Sequence, residues 1–231
     1  MNTRTYRPIP IALTTLIAVF SALTALAVSG GHAASAHGGS HVADSAHAAT
    51  ITRKELALRN GMRRLWEDHV TWTRLAVVSL TSGSPDTEAT VARLLRNQTD
   101  IGNTIKPFYG QAAGNALTGE LRKHILIAAE LIAAAKAGDQ AKLADAEARW
   151  KANAHDIATL LNRANPRHWK LAAVEAMLGM HLRLTTEEAV SRLRGDWAAD
   201  VAAYDRVHAH ALTMADTLST GLVKQFPRRF R

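Results

Sequence analysis

The sequence predicts an all-α protein, an up-down bundle of four long helices with two or three short accessory helices. Three observations carry this. From Ile51 onward Ala, Leu, Glu, Lys and Arg dominate, and these residues lose little on entering a helix. Apolar residues recur at three- and four-residue steps rather than alternating as a strand requires. Gly and Pro gather at a few points between the periodic stretches, and the short connections favour antiparallel neighbours.

The first helix is expected from about Thr52, a cap residue, to Leu80, with the seam Leu58, Leu65, Trp66, His69, Val70, Thr73 and Val77. Ser82-Gly83-Ser84-Pro85-Asp86 ends it, since Pro suits a helix start and Gly a helix end. The second runs from Thr87 to about Pro107 and is closed by Phe108-Tyr109-Gly110; the third covers about Ala116–Ala137 and ends at Gly138-Asp139. A fourth continues to Ala164, where Asn165-Pro166 stops it, because a residue before Pro avoids helical geometry. A shorter helix is expected over Arg167–Leu182. A new start follows at Leu184-Thr185-Thr186-Glu187-Glu188, where Thr185 and Glu188 have capping-box spacing. The last long helix spans Asp196–Gln225 and is broken by Phe226-Pro227.

Residues 1–36 read as a signal peptide: Arg4 and Arg7, then the uncharged run Ile11 to Val28, a Gly30-Gly31 break, and Ala34-Ser35-Ala36. Cleavage after Ala36 would place the remainder outside the cytoplasm, as a secreted or cell-envelope protein. The run is about 18 residues, close to the lower limit for spanning a bilayer, so an uncleaved anchor is the alternative. Residues 37–50, HGGSHVADSAHAAT, are small, polar and without hydrophobic period, which reads as a flexible His-containing linker. The bundle domain is assigned to residues 51–227 and a basic tail to 228–231.

Cysteine is absent and the formal charge is +8. Burial rather than disulfides must therefore hold the fold, and thiolate chemistry is excluded. The positive excess near Lys224, Arg228, Arg229 and Arg231 implies at most weak attraction to an anionic lipid or cell-wall polymer. No basic-aromatic stripe points to nucleic acid. G-x-S-x-G, H-E-x-x-H, Walker-type and dinucleotide glycine motifs are all missing, so hydrolase, kinase and dehydrogenase readings lack local support.

The chemical lead lies in polar residues on apolar seams. His124 falls in the stripe Leu117, Leu121, Ala128, Leu131; His181 among Val174, Met177, Leu178 and Leu184; His69 between Trp66 and Thr73. Three histidines on three helices are thus expected to point inward. Asp205-x-x-His208 places a carboxylate and an imidazole on one helix face, a geometry used by di-metal bundles together with single carboxylates, here Glu67, Glu130 and Asp156. Glu120 and His124, four apart, share a face too. Imidazole and carboxylate donors suit a divalent metal such as zinc, iron or copper. The candidate metal set is therefore His69, His124, His181, Glu67, Glu130, Asp156, Asp205 and His208. His37 would become the amino terminus on cleavage, adding a weaker copper-chelating candidate beside His32, His41 and His47. The five Trp residues read as packing anchors, and Asn97, Asp100 and Asn103 as helix-end or mutual hydrogen-bonding groups.

Several strings carry a likeness: Leu65-Trp66-Glu67-Asp68-His69-Val70-Thr71-Trp72, Lys106-Pro107-Phe108-Tyr109-Gly110, His124-Ile125-Leu126-Ile127-Ala128-Ala129-Glu130, Asn162-Arg163-Ala164-Asn165-Pro166, His181-Leu182-Arg183-Leu184-Thr185 and Met214-Ala215-Asp216. Together, over about Leu58 to Pro227, they resemble an uncharacterised bacterial family of helical proteins, some automatically named acetylglutamate kinase. A kinase of that kind needs an α/β sheet and glycine-rich phosphate loops, neither of which this sequence offers. The resemblance implies an all-helical fold, and His69, His124 and His181 each fall within a matching string.

Three functional readings follow. The first is an exported, non-enzymatic bundle that binds a metal ion or small ligand between its helices. The second is a metal-dependent enzyme in the same pocket, and the third a structural cell-envelope interaction module.

Overall fold

A computed structural model describes residues 51–231, and over them the protein is entirely helical. The expected signal peptide and His-containing linker, with His32, His37, His41 and His47, lie outside the described residues. α1 spans Arg53–Ser82, α2 Thr87–Ala137, α3 Gln140–Ala164, α4 Leu171–Arg194 and α5 Trp197–Gln225, and a 3-10 turn covers Pro227–Phe230. Among the described residues no helix is long and apolar enough to cross a membrane.

The helix ends follow local chemistry. Thr52 accepts from the Glu55 amide at 3.2 Å, Asp139 from Lys142 at 3.1 Å and Asp196 from Ala199 at 3.1 Å, each satisfying an orphan amide of a first turn. Gly83, Gly138 and Gly195 close α1, α2 and α4 in the left-handed region at φ 72°, where a side chain would be strained.

The expected closure of the second helix at Phe108-Tyr109-Gly110 is seen: helical geometry passes through Pro107 to Tyr109 and breaks at Gly110, with φ 85° and ψ 171°. The segments on either side fold back on each other. Arg122 donates to the Leu95 carbonyl at 3.2 Å, and a methyl group placed on Gly102 would lie 2.7 Å from the Gly114 carbonyl oxygen. Glycine at 102 and 114 is what lets the two backbones approach. One expectation fails: the break at Leu182–Leu184 is absent, and α4 runs through it without interruption. Thr185 donates to the His181 carbonyl at 2.9 Å, as a mid-helix threonine does. Glu188 bonds Arg74 of α1 rather than a helix terminus. Among the described residues five helices are seen, one of them folded in two at Gly110, roughly consistent with the four long helices and accessory ones expected.

α1 packs against α2 and α5, α3 against α2 and α4, and α4 against α5. One core cluster joins them, with Met62, Trp66, Val70, Trp150, Ile157, Trp169, Val207, Met214 and Leu222 among its buried members. The α3–α4 link is fastened to α5: Asn165 donates to the Gly221 carbonyl at 3.0 Å, and the Trp169 indole occupies the space a side chain at 221 would need. The basic end of the chain is held in the same way. Phe230 is buried, its carbonyl accepts from the Thr52 hydroxyl at 2.5 Å, and Arg229 donates to the Pro107 carbonyl at 2.7 Å.

Candidate functional site: a buried imidazole cluster

His69 of α1, His124 of α2 and His181 of α4 are all about 95% buried. Each reaches the interior because it sits on its helix's apolar seam. His181 is the centre: its ring lies 5.9 Å from His69, 6.0 Å from His124 and 6.4 Å from His210 of α5. The His124–His181 and His181–His210 planes are nearly parallel, at 26° and 18°. Trp66 stands edge-on to His69 at 5.4 Å, and Trp150 packs on His124 at 5.2 Å.

Hydrogen bonds fix two of the tautomers. Asn153 donates from Nδ2 to the Glu120 carbonyl and carboxylate at 3.2 and 3.0 Å. Its Oδ1 therefore faces His124 Nδ1, at 2.9 Å. His124 Nδ1 is thus the donor, and its Nε2 keeps the lone pair. His210 Nε2 faces the Met177 carbonyl at 3.0 Å, so that nitrogen donates and Nδ1 keeps the lone pair. His69 Nδ1 lies 3.2 Å from the Gln98 amide nitrogen, which also faces the Leu94 carbonyl and Asn97 Oδ1. The two Gln98 amide hydrogens go to the nearer Leu94 and Asn97 oxygens, so this contact does not assign the His69 tautomer. Asn97 is fully buried and donates to the Leu65 carbonyl at 3.0 Å; it ties α2 to α1 rather than a helix end, whereas Asp100 and Asn103 are exposed.

Four buried polar atoms in this cluster or its walls lack a partner: His181 Nδ1, Gln98 Oε1, Trp66 Nε1 and Trp150 Nε1. Native interiors satisfy nearly all such atoms, so this concentration marks the cluster as unusual. Burial pushes His69 and His124 down to about 4, the first with added repulsion from His124. His181 lies well below the ordinary imidazole value, through burial first and then repulsion from His69, His124 and His210. All three rings are neutral at pH 7, the state in which imidazole acts as a ligand.

The carboxylates of the candidate set lie elsewhere. Glu130, Asp156 and Asp205 are exposed, and Glu130 is paired with Arg149 at 2.6 Å. Glu67 and His208 pair with each other at 2.7 Å near the surface. Asp205 and His208 thus do not converge on the buried rings. Among the described residues no three His, Asp or Glu side chains are gathered so as to hold a metal ion as they stand.

A second polar cluster was not legible in the sequence. Arg74 donates to Asp200 through both terminal nitrogens, one bond at 2.8 Å, and to Glu188 at 3.0 Å. Arg192 donates to the same Asp200 at 2.9 Å. Asp200 and Glu188 are essentially inaccessible. Burial would raise Asp200, but Arg74 and Arg192 outweigh it and hold the carboxyl below its usual range. For Glu188 burial prevails over Arg74 and raises it.

The chain matches no family model, no curated protein and no solved structure. Sequence reasoning missed His210, Gln98 and the Arg74–Asp200 pair. His210 adjoins the seam Val207, Ala211, Met214, and Gln98 sits on the seam Leu94, Ile101, Ile105, so both carried the same three- and four-residue signal as His124.

Proposed function

We propose that this is an exported helical-bundle protein, of up-down arrangement, that binds a metal ion in the interhelical imidazole cluster and performs no catalysis of its own. His181 carries the reading: a buried imidazole at the centre of three others, with Nδ1 lacking any partner. Its neighbours support it. His124 and His210 each give their proton to an amide or carbonyl oxygen and retain a lone pair, the orientation that outer-shell hydrogen bonds give to metal-binding histidines. Small movements of the rings are needed to close a site around one point. Export rests on the residues preceding the described domain, and kinship with the bacterial helical family rests on the strings quoted above.

Elemental analysis of the purified full chain, before and after His124→Ala, tests the reading. Bound zinc, iron or copper that is lost in the variant is the expected result. Unchanged stoichiometry would remove His124 from the site.

A structural cell-envelope module is the second reading. It is favoured by one observation, that His124 and His210 are each satisfied by protein partners. Thermal melting that no metal or chelator alters would select it.

A further inference from the structure

Neutral surroundings constrain the charge of an ion in the imidazole cluster, and this inference rests on the metal-binding reading above. Among the described residues no carboxylate bonds His69, His124 or His181 directly: their partners are Asn153 and Gln98, and Glu120 reaches His124 only through Asn153. The flanking rings are the neutral indoles of Trp66 and Trp150. The cost of burying an ion rises with the square of its charge, so a dication here pays about four times the desolvation of a monocation, with no anionic ligand to offset it. Zinc and ferrous sites in proteins commonly add carboxylate or thiolate donors, and neither bonds these rings directly, Glu120 standing behind Asn153.

Spacing points the same way. Metal–imidazole bonds are about 2.0 Å, and the ring centre lies about 1 Å behind the nitrogen, so two imidazoles bridged linearly by one ion have centres about 6 Å apart. His124 and His181 have centres 6.0 Å apart in planes 26° from parallel. A direct N–H···N bond would bring the centres to about 5 Å. The lone pair of His124 is on Nε2, since Nδ1 donates to Asn153, and His181 Nδ1 is buried without a partner. His69, 5.9 Å from His181, is tilted 46° to it, and its Nδ1 is covered by the Gln98 amide nitrogen at 3.2 Å.

We infer that the cluster is a two-coordinate site for a monovalent d10 ion, copper(I), held between His124 Nε2 and His181 Nδ1. Soft, low-charge copper(I) accepts two imidazoles and requires no anionic partner. His210 flanks the site, and His69 lines it without ligating.

The test uses the metal-free full chain under anaerobic conditions. It is exposed in turn to buffered copper(I), to silver(I) as a redox-inert monovalent stand-in, and to zinc(II). Retained metal is measured after gel filtration, and X-ray absorption at the copper edge gives the coordination number. The expected result is about one copper(I) or silver(I) per chain in two-nitrogen coordination, with zinc(II) held roughly 100-fold more weakly. His124→Gln and His181→Gln should each abolish retention, while His69→Gln should keep it, with helicity measured for all three to show that they fold. Zinc(II) or iron(II) retained in preference to copper(I) would overturn the monovalent assignment and leave the metal-binding reading standing. Retention of none of the metals would overturn both. Silver retained equally in His124→Gln and His181→Gln, once folded, would place the ion elsewhere on the chain and overturn the site.

Discussion

The protein buries polar groups in two places by opposite means. Around Asp200 every charge meets a counter-charge: Arg74 and Arg192 converge on one carboxylate, and Glu188 shares Arg74. Around His181 there is no counter-charge, and neutrality is maintained by keeping the imidazoles unprotonated. The first arrangement fastens the α4–α5 turn to α1. The second leaves nitrogen lone pairs inside the molecule, a poor way to gain stability and a good way to hold a cation. A buried ion pair is costly to break from one side, whereas a cluster of neutral bases is sensitive to protons. The two regions therefore differ in what disturbs them.

Acid should have the largest effect, and on the imidazole cluster. His69 and His124 are held down to about 4 in the folded protein, against 6.5 for an imidazole in water. The unfolded chain thus binds more protons than the folded one between those values. Stability from this source is complete above about pH 6.5 and is lost as the pH falls toward 4. The full loss is about 3 kcal/mol for each of the two rings. Denaturant titrations at pH 7.5, 6 and 5 should show the decline, and a flat profile would mean that the rings are accessible to water. Glu188 has the opposite sign. Its raised folded value makes its contribution complete below the unfolded value of 4.5 and diminishing as the pH rises through the folded one.

Arg74→Met should come next, costing about 3–5 kcal/mol, because it strands Glu188 and half of the Asp200 pairing in the interior. Because Arg74 holds Asp200 down and opposes the rise of Glu188, the deficit of the variant should shrink in acid as these carboxyls take up protons, opposite in sign to the imidazole effect, which separates the two regions experimentally. Gly221→Ala should cost about 1–3 kcal/mol by overpacking against Trp169, whose indole nitrogen would lie 2.0 Å from the new methyl. Glu188→Gln should be smallest, within about 1 kcal/mol at pH 7, since the amide retains a hydrogen bond to Arg74 and no longer carries a buried charge. Chemical denaturation at one temperature ranks all three, and a Glu188→Gln loss as large as that of Arg74→Met would show that the carboxylate is ionised and essential.

Much of this architecture is written locally. Thr52, Asp139 and Asp196 announce helix starts, and Gly83, Gly138 and Gly195 announce stops, because capping depends on a few neighbouring residues. The false break before Thr185 arose where a local signal had a tertiary answer: Glu188, three residues on, is claimed by Arg74 from another helix. The closure at Phe108-Tyr109-Gly110 was legible locally, since Gly110 takes up the change of direction. In the site, the inward position of His69, His124 and His181 was legible from seam spacing alone. The exposed positions of Glu130, Asp156 and Asp205 were not, because a carboxylate beside a seam reads the same whether it turns in or out. Arg74 and Asp200 were invisible for the complementary reason: charged residues are ordinarily placed outside, and only a partner from a distant stretch of chain allows them in.

Nitrogen-15 NMR of the histidine side chains across a pH titration tests the central claim most directly, because the imidazole nitrogens report both protonation and lone-pair engagement. The account requires His69, His124 and His181 to remain neutral down to about pH 5, with His124 protonated at Nδ1 throughout. Titration of these three rings near the ordinary imidazole value, in a folded chain, would place them in water and contradict the existence of the cluster.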